Sequence, residues 1–160
     1  MESPAPSPLI LARPSLASIP ANLGTSLPGV STTTVEAVTH GIRVHVRARF
    51  SEQNSDPHAP QWVFLYTITI QNESSVRVQL LKRHWIITDA NGEVEEVKGP
   101  GVVGKQPILE PGGSFEYTSA CPLKTPFGSM YGTYQMLGPA NEVFDAEIPA
   151  FALRLPGTMQ

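Results

Sequence analysis

At 160 residues, 41% of them apolar and 16% charged, the chain has the length of one domain plus a modest flank, and can build a core without a metal or disulfide staple. A formal net charge of -3 argues against a nucleic-acid binder, which carries a basic excess, and no apolar run is long enough to insert into a membrane. The 16 prolines and 13 glycines are too many for a helical protein and too dispersed for a collagen-like one, while the lone Cys121 allows no internal disulfide and points to a reducing, cytoplasmic setting.

Residues 1–30 differ from the rest, with Pro, Ser, Ala and Leu dominant and Glu2 and Arg13 the only charges. Pro4, Pro6, Pro8, Pro14, Pro20 and Pro28 prevent a continuous helix, which predicts a disordered tail. An organelle transit peptide is the alternative, since the segment is acid-poor and bears serines. From Thr32 onward the pattern is β. Arg43 to Phe50 alternates strictly, with Val44, Val46, Ala48 and Phe50 on one face. Ser51 to Pro60 reads as a polar loop. Trp62 to Ile70 is apolar or β-branched throughout, the mark of a central strand covered on both faces. Asn72 to Ser75 is a hairpin loop into Val76–Leu81. There the apolar phase moves from Val76, Val78 and Leu80 to Leu81, Trp85 and Ile87, which predicts a β-bulge near Lys82.

Asn91-Gly92 predicts a two-residue hairpin turn with positive φ at both positions, followed by a short strand over Glu93–Lys98. Glu110 to Gly113 is a further turn, and Phe115–Cys121 alternates. A proline-containing connection, Pro122 to Gly128, leads to Met130–Leu137. Gly138 to Asn141 turns into Val143–Ile148, and Ala150–Leu155 closes the domain. Strands at short intervals with no amphipathic helical window predict an all-β, antiparallel β-sandwich of immunoglobulin or fibronectin type III-like kind.

The runs VFLYTITIQNES, VQLLKRHWIITDANGEVEEVKGPGVVGKQPILEPGGSFEYTSACPL, GSMYGTYQM and IPAFAL resemble the ApaG family. The likeness extends from about Thr33 to about Leu153, within a domain taken as residues 31–160. It implies the same sandwich, no catalytic activity, and an association with cobalt resistance and magnesium efflux. Related domains in eukaryotic F-box proteins and in a polymerase-interacting protein imply protein–protein interaction.

Gly99-Pro100-Gly101-Val102-Val103-Gly104 spells G-x-G-x-x-G. A dinucleotide fingerprint needs a helix directly after it, and Pro107 and Pro111 leave no room for one. Two readings remain. The glycines can supply positive φ in a tight connection between strands, or their amides can form an anion nest completed by Lys105. The resemblance implies the latter, a pyrophosphate site at Gly99, Gly101 and Gly104, although Pro100 removes one donor. The residues favour the former.

Arg43, His45, Arg47 and Arg49 form a basic stripe that reads as protection of a sheet edge, with a phosphate or acidic peptide as the alternative ligand. Arg83, His84 and Trp85 are candidate interaction residues, because Trp and Arg concentrate energy at interfaces, while the phase of Trp85 suits the core. His40, His45, His58 and His84 are scattered, and Glu93, Glu95 and Glu96 alternate in direction on one strand, so no metal site is expected. Cys121 suits a small buried side chain, and no catalytic residue or cofactor is expected. The function expected is a non-enzymatic module that binds an unidentified protein partner in divalent-cation homeostasis. The alternative is a ligand containing pyrophosphate, or a nucleotide polyphosphate, at Gly99–Lys105. Monomer and homodimer are both open.

Overall fold

The computed structural model describes residues 32–56 and 58–156; the predicted tail over residues 1–30 lies outside them. Two antiparallel sheets form a sandwich, and no described residue is helical. The strands are β1 (Thr32–Thr39), β2 (Ile42–Asp56), β3 (Gln61–Asn72), β4 (Val78–Asp89), β5 (Val94–Pro100), β6 (Ile108–Leu109), β7 (Ser114–Leu123), β8 (Gly128–Leu137) and β9 (Val143–Leu153). The first sheet runs β1-β2-β3-β7. The second runs β5-β4-β8-β9, with the short β6 pairing with β4 beyond the end of β5.

Period-two burial explains the layers. On β2, Ile42, Val44, Val46 and Ala48 are buried, and Phe50 is half-buried with its ring 5.5 Å from Phe64. β3 lies between β2 and β7 and is buried on both faces from Val63 to Tyr66. Its outward Val63 and Leu65 form a small separate cluster with Ala120. Facing β3 across the sandwich, Trp85 is fully buried, edge-on to Tyr66 at 5.4 Å and to Phe151 at 6.0 Å. Edge-to-face rings set the positive rim of one against the negative face of the next, and add to the gain from burial.

The turns depart from expectation. Asn91 does not take positive φ; only Gly92 does, at 82°. Gly92 N–H donates to the Asp89 carbonyl, and Asp89 N–H to the Glu93 carbonyl. The connection is therefore three residues long, an ordinary turn followed by a left-handed glycine. The Asp89 carboxylate, accepting from the amides of Asn91 and Glu93, holds this longer turn. The mirror-image two-residue turn occurs instead between β1 and β2, where His40 (φ 48°) and Gly41 (φ 80°) are both left-handed.

Ser51–Asp56, expected to be loop, extends β2 with irregular pairing. Ser55 Oγ donates to the Ser51 carbonyl and accepts from Val63 N–H, so side chains replace part of the ladder. The two closing runs are one strand, β9. Its pairing shifts where Pro149 and Ala150 stand opposite Tyr131, because proline has no N–H to give the ladder. Trp85→Ala is expected to lower unfolding stability by about 3–5 kcal/mol. Val76→Ala, at an exposed site, should change it by no more than about 0.5 kcal/mol in guanidinium titrations.

Candidate functional site

The bulge foreseen near Lys82 is present: pairing of β4 with β8 shifts between Leu80 and Lys82. Val78 and Leu80 point inward before it, and Arg83, Trp85 and Ile87 after it. Leu81, placed inward by the sequence pattern, is instead only half-buried. The inward place after the bulge falls to Arg83, a cation only 8% exposed.

Arg83 holds the glycine loop. Its Nη1 donates to the carbonyls of Pro100 and Gly101, each at 3.0 Å. Gly99 lies against the guanidinium, where an added Cβ would come within 3.1 Å of both terminal nitrogens. The loop then closes on itself. Gly101 N–H donates to the Leu81 carbonyl at 2.8 Å, and Val102 and Lys105 exchange two backbone bonds of 2.8 and 2.9 Å. Val103 (φ 42°) and Gly104 (φ 81°) make another mirror-image turn between them. The amides of Gly101, Val102 and Lys105 are thus occupied within the protein, and Pro100 has none. Among the described residues, the turn amides of Val103 and Gly104 are the ones in this turn left without a backbone partner for an anion.

Arg83, His84 and Trp85 separate by face. Trp85 is in the core and Arg83 beneath the loop, so His84 alone presents its side chain on the outside, with Nε2 3.3 Å from Glu96 Oε2. Around it the outer face of the second sheet forms a concavity of about 470 Å³. Lys82, His84 and Lys98 line one side, Thr133 and Gln135 the middle, and Asp145 the far rim. Among the described residues, Lys82 and Lys98 have no ion-pair partner. No local signal in the sequence singles out Thr133, Gln135 and Asp145. Their alternation on β8 and β9 was visible, but which strand lay beside β4 was not.

The basic stripe is not at an edge. β2 is paired on both sides, by β1 and β3, and the edge belongs to β1, whose alternating pattern the sequence reading did not separate from β2. Arg43 bridges Glu73 and Glu36, each at 2.7 Å, and Arg47 lies 4.0 Å from Glu116. Bonding to Glu73, and then to Glu36, raises the Arg43 pKa, and the same contact lowers that of Glu73. Much of this stripe is thereby neutralised locally.

Cys121 is buried, and burial, followed by the nearby Glu95 charge, pushes its thiol from 9.0 up to about 12. A thiol so held is poorly nucleophilic at neutral pH. Glu95 is itself raised, chiefly by burial, against the opposing pull of Lys124. Among the described residues no group of three His, Cys, Asp or Glu side chains could hold a metal ion.

The sequence pattern of the ApaG domain matches residues 52–138. The protein ApaG of Mesorhizobium japonicum is 57% identical over 122 residues, which cover 76% of this chain and 94% of that relative. The chain belongs to the ApaG family. ApaG of Thiobacillus denitrificans is 50% identical over 121 residues, covering 76% of this chain and 95% of its own length. The crystal structure of a putative ApaA protein from Bordetella pertussis superposes with a TM-score of 0.71 at 49% identity, covering 73% of this chain and 95% of that one. The matched residues therefore take in β3 to β8 and the glycine loop, while β1, most of β2 and β9 lie outside them.

Two outcomes are expected here. Gly101→Ala sets a Cβ against the Lys105 carbonyl at positive φ, whereas Gly104→Ala meets nothing within 4 Å. Gly104→Ala should cost about 1–2 kcal/mol from its left-handed backbone alone, and Gly101→Ala clearly more, by urea titration. The second outcome concerns pH. Burial raises the phenols of Tyr66, Tyr117 and Tyr134 as well as the Cys121 thiol. These groups keep their protons in the folded chain after the unfolded chain has lost them, so stability falls as pH rises. From neutral pH to about pH 8.5 the unfolding free energy should be level, and it should then decline through about pH 12, read from denaturation midpoints.

Proposed function

We propose that the protein is a non-catalytic binding module whose contact surface for a protein partner is the outer face of the second sheet. One observation carries this reading: the concave band around His84, basic on one side and acidic on the other. It lies between two rows that expose apolar side chains, Ile86 and Tyr131 at one end and Ile108, Leu137 and Val143 at the other. Polar centres of this kind set orientation and encounter, while flanking aromatic and aliphatic groups supply contact area. Nothing comparable supports catalysis among the described residues. The one thiol is buried and protonated, and the titratable groups on the concave face include no nucleophile with an adjacent base.

A role in cobalt resistance or magnesium efflux, implied by the family resemblance, would run through such a partner and not through a resident ion. The single buried thiol supports a reducing, cytoplasmic setting. Pyrophosphate at the glycine loop is the weaker reading, because internal hydrogen bonds already occupy three of the loop's amides.

The four lysines make the proposal testable. Lys82 and Lys98 line the face, Lys105 is in the glycine loop, and Lys124 follows β7. Affinity capture of the full chain with a lysine-reactive crosslinker should join the partner through Lys82 or Lys98. Crosslinks confined to Lys105 and Lys124 would place the contact elsewhere and defeat the proposal.

A further inference from the structure

The pairing register of the second sheet places its outward side chains in rows that cross the strands. One row is Lys98, His84, Thr133 and Glu147, running from β5 to β9. The next is Lys82, Gln135 and Asp145, on β4, β8 and β9. Toward one end of the strands lies Glu96, Ile86 and Tyr131. Toward the other lies Ile108, Gln79, Leu137 and Val143. Ile108, Val143 and Tyr131 are about half exposed, at 54%, 55% and 47%. Glu96 beside His84 apart, the face is banded twice: positive to negative across the strands, and apolar, charged, apolar along them.

Such banding is self-complementary under one particular rotation. A two-fold axis in the plane of contact, parallel to the strands and midway between β4 and β8, reverses strand order but keeps each row at its own height. Lys98 of one copy then meets Glu147 of the other, and His84 meets Thr133. Ile86 lies over Tyr131, and Ile108 over Val143. Lys82 lies over Gln135, beside Asp145. Every contact occurs twice, as in any isologous pair. An axis perpendicular to the strands would instead stack the basic side of one copy on the basic side of the other, at a cost from like charges.

We infer that the occupant of this face is a second copy of the chain, forming a two-fold dimer by face-to-face packing of the second sheets. The mean strand directions of the two copies are then nearly aligned, as sheets pack. The inference rests on the outer face being a contact surface and adds what covers it. The rows span roughly 25 by 20 Å by strand geometry, or about 500 Å² per copy. That is below the roughly 800 Å² per partner of standard interfaces. The dimer is accordingly reversible, populated at micromolar concentrations and weakened by salt.

Sedimentation velocity of the full chain, over a range of concentrations and at low and high salt, tests this. The wild type should dimerise, more weakly at high salt. Lys82→Glu with Lys98→Glu makes the face acidic, and Asp145→Lys with Glu147→Lys makes it basic. Each double variant alone should dissociate at least about tenfold more readily. Mixed in equal amounts, the two should form a heterodimer tighter than either homodimer. Circular dichroism melts check that both variants fold, and all four substitutions are at half-buried or exposed outward positions. A wild type that stays monomeric throughout, or a dimer that ignores both variants, overturns the inference. If the wild type is monomeric yet crosslinks to a different protein still map to Lys82 and Lys98, the contact face stands and only the second copy falls.

Discussion

The slip in β4 between Leu80 and Lys82 sets the chemistry of both sides of the second sheet. Because side chains alternate with period two, one extra residue exchanges the faces of all that follow. Without it, Lys82 and His84 would enter the core and Arg83 and Trp85 would face solvent. With it, Trp85 joins the aromatic centre, Arg83 reaches the glycine loop, and Lys82 and His84 stand on the concave outer face. The interior and the candidate contact surface are two consequences of one backbone irregularity.

The buried Arg83 is costly to keep, since desolvation of a cation must be offset by hydrogen bonds or a counter-charge. Two carbonyls of the glycine loop accept from it, while its Nε has no hydrogen-bond partner among the described residues. The loop in turn needs Arg83, because the Pro100 and Gly101 carbonyls would otherwise be left without that donor. Gly99 leaves room for the guanidinium, Gly101 lets the Lys105 carbonyl approach, and Gly104 completes a left-handed turn. Each glycine of the G-x-G-x-x-G run thus answers a local steric demand, and the run connects two strands that pair with β4.

The two outer faces differ in how their charges are settled. On the first sheet, Arg43 is matched by Glu36 on β1 and Glu73 in the adjacent loop, and Arg47 lies 4.0 Å from Glu116, which reaches it across β3. On the second, β8 separates Lys82 from Asp145, β4 and β8 separate Lys98 from Glu147, and among the described residues neither lysine has an ion-pair partner. Charges separated in this way across one surface keep their field for a partner. That separation, with apolar rows at both ends, is why the second sheet and not the first is read as the contact surface.

The all-β character, the central position of β3 and the bulge near Lys82 were legible in the residues, because each is local. They rest on runs of β-branched and aromatic side chains, on alternation, and on a break in its phase. Trp85 was legible as core for the same reason. The turn at Asn91-Gly92 was misjudged in length because Asp89, just outside the dipeptide, captures the amides that set it. Which strands lie side by side was beyond the sequence, since pairing joins residues tens of positions apart. So β2 looked like an edge until β1 was seen beside it, and Thr133, Gln135 and Asp145 had no reason to be grouped with His84. The alternation along each strand is a property of the chain; the rows across strands, and the surface they compose, exist only once the backbone ladders have formed.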